Sequence, residues 1–131
     1  MTTEQMFQLQ LAADYALITF RGQMDAATVQ KIKPVLLAQL PVDISNIIVD
    51  LAKVEFLDSH GVGLFVSLLK RAHMHRGRLA LAGAHGQPQS VLLMVGFNGE
   101  LVTYCRDTRE AKELFIEEGS RKNSDGQKTE N

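Results

Sequence analysis

Apolar and polar residues alternate at the start of the chain. Phe7, Leu9 and Leu11 are interleaved with Gln8 and Gln10, the period of a half-buried strand. Asp14 marks a turn, and Tyr15-Ala16-Leu17-Ile18-Thr19-Phe20-Arg21 reads as a second strand, forming a hairpin that Gly22 ends. The period then changes. Val29, Ile32, Leu36, Leu37 and Leu40 keep the three-and-four spacing of an amphipathic helix, and Asp25 is placed to cap its free amides. Pro34 lies inside that pattern and predicts a kink or a later helix start. After Pro41 and Asp43 comes an apolar run from Asn46 to Leu51. It has no polar alternation, as expected of a strand covered on both faces. A short connection and a second apolar group, Val54 to Leu57, lead into a compact Asp58-Ser59-His60-Gly61 turn.

From Gly61 to about His75 the pattern is helical. Val62, Phe65, Val66 and Leu69 form the apolar stripe, widened by Leu64, Leu68 and Ala72. Arg78 to Leu81 predicts a short strand, Gln89 to Val95 a short helix, and Leu101 to Cys105 a last strand. Asp107 then caps a final helix carrying Ala111, Leu114, Phe115 and Ile116. Strands and helices alternating after a hairpin predict an α/β fold. It should be a mixed β-sheet with parallel central strands, packed with about four helices and joined by right-handed crossovers. The domain is expected over 1–118. Residues 119–131, polar and nearly free of apolar side chains, are expected to form a disordered C-terminal tail.

Composition narrows the partners. A chain of 131 residues is one domain that can bury a core without disulfides or metals. Its net charge of −1 lacks the concentrated basic surface of a nucleic-acid binder. Cys105, the single cysteine, lies in an apolar run and reads as a buried small hydrophobe, consistent with a reducing compartment. The N-terminus lacks a basic start with an apolar block, and no apolar run approaches the ~20 residues of a spanning helix. A cytoplasmic domain without direct membrane insertion is therefore expected.

Ser59 is the residue placed for chemistry, a hydroxyl displayed where a strand layer ends and a helix begins. That edge of an open α/β sheet is where ligands and partners are met, and a helix N-terminus favours negative charge. Asp58-Ser59-His60 contains the residue types of a hydrolase triad, but consecutive residues in one turn cannot converge as a triad requires. Gly61-Val62-Gly63 lacks the Gly-Lys-Ser/Thr ending of a phosphate loop. His73 and His75, two apart on a helix, point to different faces and cannot readily share an ion. No enzyme activity, cofactor or metal is expected.

Three segments carry a family resemblance. Arg21-Gly22-Gln23-Met24-Asp25-Ala26-Ala27-Thr28 resembles the hairpin-to-helix signature of the STAS family, the anti-sigma factor antagonists. Ile48-Val49-Asp50-Leu51, followed by Val54 through Gly63, is similar to that family's central block, and Arg76 through Gly83 to its next strand. The resemblance implies partner switching. The unphosphorylated protein would bind an anti-sigma factor that doubles as a GHKL-type serine kinase, freeing the kinase's target. Phosphorylation of the serine after the aspartate, here Ser59, would end the complex, and a PP2C-type phosphatase would restore it. The chain departs from the family at His60, where many members carry serine or another small residue. A histidine there leaves three readings open: a solvated surface ring without special role, altered kinase recognition, or binding that is pH-sensitive near neutrality.

Helical phasing sets Gly63, Ser67, Lys70 and Arg71 opposite the apolar arc. Gly63 and Ser67 leave a low surface that a partner helix could approach. The expected partner surface around Ser59 therefore comprises Asp25, Asp58, His60, Gly61, Gly63, Leu64, Ser67 and Arg71. An alternative implied by the same resemblance is a non-switching accessory subunit of a membrane transporter of the lipid-transport ATPase type.

Overall fold

The computed structural model describes residues 2–118, so the expected tail over 119–131 lies outside the described residues. Five strands lie side by side in chain order. β1 (Phe7–Leu11) is antiparallel to β2 (Ala16–Met24), and β2, β3 (Ile47–Leu57), β4 (Leu79–Ala82) and β5 (Thr103–Cys105) run parallel. The mixed sheet with parallel central strands is as expected. A sheet wound in one direction by right-handed crossovers keeps its connecting helices on one face. Here α2 (Ala26–Gln39), α3 (Ser59–Met74) and α4 (Gly86–Met94) all contribute to the larger core, while a helix over 108–118 (α5) covers the opposite face.

The apolar run in β3 shows why both faces are covered. Ile47, Val49 and Leu51 enter the larger core with Phe20, Ile32, Leu36, Phe65 and Leu68. Ile48 points the other way, joining Leu17, Ala80, Ala82 and Cys105 beneath Ala111 and Phe115 of α5. Every one of these side chains is at least nine-tenths buried, as expected for Cys105.

Several boundaries differ from the sequence reading. The two apolar groups around Lys53 are one strand of 11 residues, because its outer half, Ala52–Leu57, continues to pair with β2. β2 does not stop at Gly22; it continues to Met24 with register shifts on either side of Arg21 and Gly22. α2 begins at Ala26 and runs through Pro34, an exposed position where only one intrahelical donor is lost. α4 starts at Gly86, three residues before the expected Gln89, with Pro88 in the first turn, where proline is tolerated. A one-turn helix, α1 (Thr3–Met6), precedes the hairpin without having been anticipated.

The stripe of α3 is rotated from the expected one. Gly61, Leu64, Phe65, Leu68, Leu69 and Ala72 are buried, and Val62 and Val66 lie half-buried at its margin. The helix also begins at Ser59, with Asp58 as its cap, not at Gly61.

Candidate functional site

β2 and β3 end together, Met24 paired with Leu57, and each is followed by an aspartate that starts a helix. Asp25 and Asp58 both have extended backbone conformations. The Thr28 amide donates to Asp25 Oδ1 at 3.0 Å. The His60 and Gly61 amides donate to Asp58 Oδ1 at 2.8 and 3.3 Å. Two capped helix N-termini, each the positive end of a helix dipole, thus stand beside one another at the sheet's edge. The Asp58 amide donating to the Met24 carbonyl at 3.3 Å joins them.

Ser59 is the first residue of α3 and is exposed; among the described residues, no group hydrogen-bonds its hydroxyl. Asp58, half-buried, is occupied as a cap. His60 is exposed, with Nδ1 3.4 Å from Asp58 Oδ1. The Thr28 backbone bond, followed by the Thr28 side chain, holds the Asp25 carboxyl below its ordinary value; the nearby His60 charge acts in the same direction. Asp25, Asp58, Ser59 and His60 are therefore brought together by the ends of adjacent strands.

Of the other expected contact residues, Gly63 is exposed, and a β-carbon there would meet nothing within 4 Å. Ser67 is half-buried, and its hydroxyl donates to the Gly63 carbonyl at 3.2 Å. Arg71 is half-buried further along α3, its guanidinium 3.5 Å from the Leu37 carbonyl. Ser67 and Arg71 line a separate groove of about 420 Å³ with Leu37, Val42, Lys70, Met74 and His75.

Two expected contacts are corrected. Leu64 is fully buried because it points into the core between α3 and the sheet. Gly61 is buried against Leu57 and Met24, so its role is to let α3 begin close to the strand ends. Neither is exposed on the surface of the chain.

Sequence reasoning missed Gln87. Its side-chain amide accepts from the Leu57 N–H and donates to the Leu57 carbonyl, both at 2.8 Å, directly before Asp58. Periodicity gives no sign of such a bond. Pro88 could have marked the helix start that places Gln87 in the first turn of α4. Among the described residues no group of three or more His, Cys, Asp or Glu side chains could hold a metal, and no helix is long and apolar enough to cross a membrane. A surface concavity of about 700 Å³ is lined by β1, β2 and α2 residues and includes none of the residues around Ser59.

No curated protein is similar to the chain in sequence. Solved structures share its fold. The Thermotoga maritima protein TM1081 is 20% identical, with 87% of this chain and 97% of that one covered at a TM-score of 0.75. The anti-sigma factor antagonist SpoIIAA, unphosphorylated, is also 20% identical, with 82% and 95% covered at 0.68; a Bacillus SpoIIAA structure in phosphorylated form matches as well. An anti-sigma-factor antagonist (STAS) domain protein from Planctomyces limnophilus is 23% identical, with 83% and 96% covered at 0.70. The family model for the STAS domain matches residues 7–111, from the first strand into the last helix, and the chain therefore belongs to the STAS domain family.

Proposed function

We propose that this chain is an anti-sigma factor antagonist that works by partner switching, with Ser59 as its phosphoacceptor. The observation that carries this reading is the free, exposed Ser59 hydroxyl on the first residue of α3, between Asp58 and His60 and beside Asp25. STAS membership supports it, and so does the shared fold with SpoIIAA, an antagonist solved in unphosphorylated and phosphorylated forms.

In this reading the chain is a cytoplasmic binding protein of bacterial transcription control, not an enzyme. Unphosphorylated, it binds an anti-sigma factor that is also a GHKL-type serine kinase, and the kinase's target is released. The kinase phosphorylates Ser59 and the complex dissociates. A PP2C-type phosphatase returns the binding form. Asp25, Asp58, His60 and Gly63 flank the acceptor, and Ser67 and Arg71 extend the contact along α3.

The electrostatics of the turn favour a switch. A phosphate adds about −1.5 to −2 charges and three strong acceptors. The His60 and Gly61 amides already donate to Asp58, so these donors are taken, and two carboxylates stand close by. The new charge is left to face solvent or the partner. A loss of about 3–4 kcal/mol across that interface weakens binding several-hundredfold.

The test is direct. The chain is used to capture its partner, and the purified pair is incubated with ATP. Phosphate mapped to Ser59, and absent from Ser59→Ala, is the expected result. Stable binding without phosphate on Ser59 would make the chain a constitutive adaptor.

A further inference from the structure

β3 is held unequally along its length. β2 pairs with it as far as Leu57, but β4 reaches only to Asp50, where it pairs with Ala82. Beyond that point, among the described residues, the other edge of β3 has no strand beside it. In a parallel ladder, successive residues turn their backbone groups to opposite sides. Asp58 donates toward Met24, so Leu57 turns both its N–H and its C=O away from β2. Those two groups meet the Gln87 side chain. A primary amide carries a donor and an acceptor side by side, as a neighbouring strand would present them. The same segment is tied to β3 once more, with His85 Nε2 3.0 Å from the Ala52 carbonyl.

We propose that Gln87 is the positioning residue of the phosphoacceptor turn. This rests on the reading of Ser59 as the acceptor. The chain at Leu57–Asp58 is gripped from both sides, by Gln87 on Leu57 and by Met24 on Asp58. Asp58 then caps α3, and Gly61 packs on the Leu57 side chain. Ser59 has no hydrogen-bonded tether of its own among the described residues, so its hydroxyl is aimed entirely by these neighbours. The central part of the sheet does not need the clamp, because Ile47 to Asp50 are paired on both sides. Phosphoryl transfer needs the attacking oxygen in line, and a displacement of about 1 Å can cost about 10²-fold in rate. Gln87 thereby makes the acceptor's geometry depend on the docking of α4.

The experiment compares wild type with Gln87→Met, similar in size but without donor or acceptor, and Gln87→Glu, which keeps only the acceptor. Amide exchange of the free chain is read first. In Gln87→Met, Leu57, His60 and Gly61 should lose roughly tenfold or more of their protection, while Val49 and Leu81 keep theirs. Gln87→Glu should fall between. With the captured kinase, kcat for Ser59 should drop roughly tenfold or more, while the Kd of the unphosphorylated complex changes less than about threefold. Unchanged protection at His60 and Gly61 overturns the proposal. So does a parallel loss at Val49 and Leu81, since Gln87 would then serve the whole fold. If the wild-type chain is not phosphorylated at all, the acceptor reading fails, and the exchange data still decide what Gln87 does to the turn.

Discussion

The Met24 carbonyl lies 2.9 Å from the point where a β-carbon on Gly61 would stand, and the Met24 β-carbon lies 3.0 Å from it. The start of α3 is therefore set by contact with the end of β2, at the one place where Ser59 is displayed. Gly61→Ala gains helix propensity but forces backbone apart. The overpacking dominates, and unfolding in urea should show a loss of about 1–3 kcal/mol. An unchanged midpoint would mean that the contact relaxes freely.

Gly63 gives the opposite expectation. Nothing lies within 4 Å of a β-carbon there, and the position is exposed. Gly63→Ala should stabilise the fold by up to about 1 kcal/mol, the helix-propensity difference. Gly63→Trp should fold normally yet lose partner binding. If Gly63→Trp binds like wild type, the partner does not approach this face.

The acid limb of stability should carry the mark of Asp25. Its carboxyl is held below the ordinary value, first by the Thr28 amide and then by the Thr28 side chain, with His60 adding to the effect. A depressed folded-state value stabilises the fold above the unfolded carboxyl's value, and the contribution is lost as pH falls through the folded value. The Asp25 carboxyl followed by NMR should titrate below 3.8. In His60→Gln its midpoint should move up slightly, because a positive neighbour is removed. No movement would separate the two side chains electrostatically.

Much of this arrangement was legible in the sequence. The hairpin and the parallel strands follow from strand-length apolar runs, and the Asp25 cap from its place before a helical pattern; the turn at Asp58 was legible, its role as the α3 cap was not. What was illegible depended on tertiary contact. Leu64 and Val62 are both apolar on a helix whose apolar arc is broad, so periodicity alone could not decide which points inward. Packing against the sheet decided for Leu64. Ala52 and Lys53 look like a loop between apolar groups, yet the strand continues because β2 extends beside it. The Gln87 bond joins residues 30 apart through a side chain, and no local pattern encodes it.

Cys105 offers a check on the smaller core. Burial pushes its thiol up from the usual value, and Glu110 pushes the same way. Less thiolate and little access should slow alkylation at neutral pH by roughly tenfold or more relative to the unfolded chain. Labelling at equal rates would place α5 away from the sheet in solution.

The central claim is that charge at Ser59 gates the partner. The captured kinase partner, titrated against wild type, Ser59→Ala and Ser59→Asp, tests it most directly. Wild type and Ser59→Ala should bind alike, and Ser59→Asp should bind at least tenfold more weakly. Equal binding by all three would contradict the switch and leave a constitutive adaptor in its place.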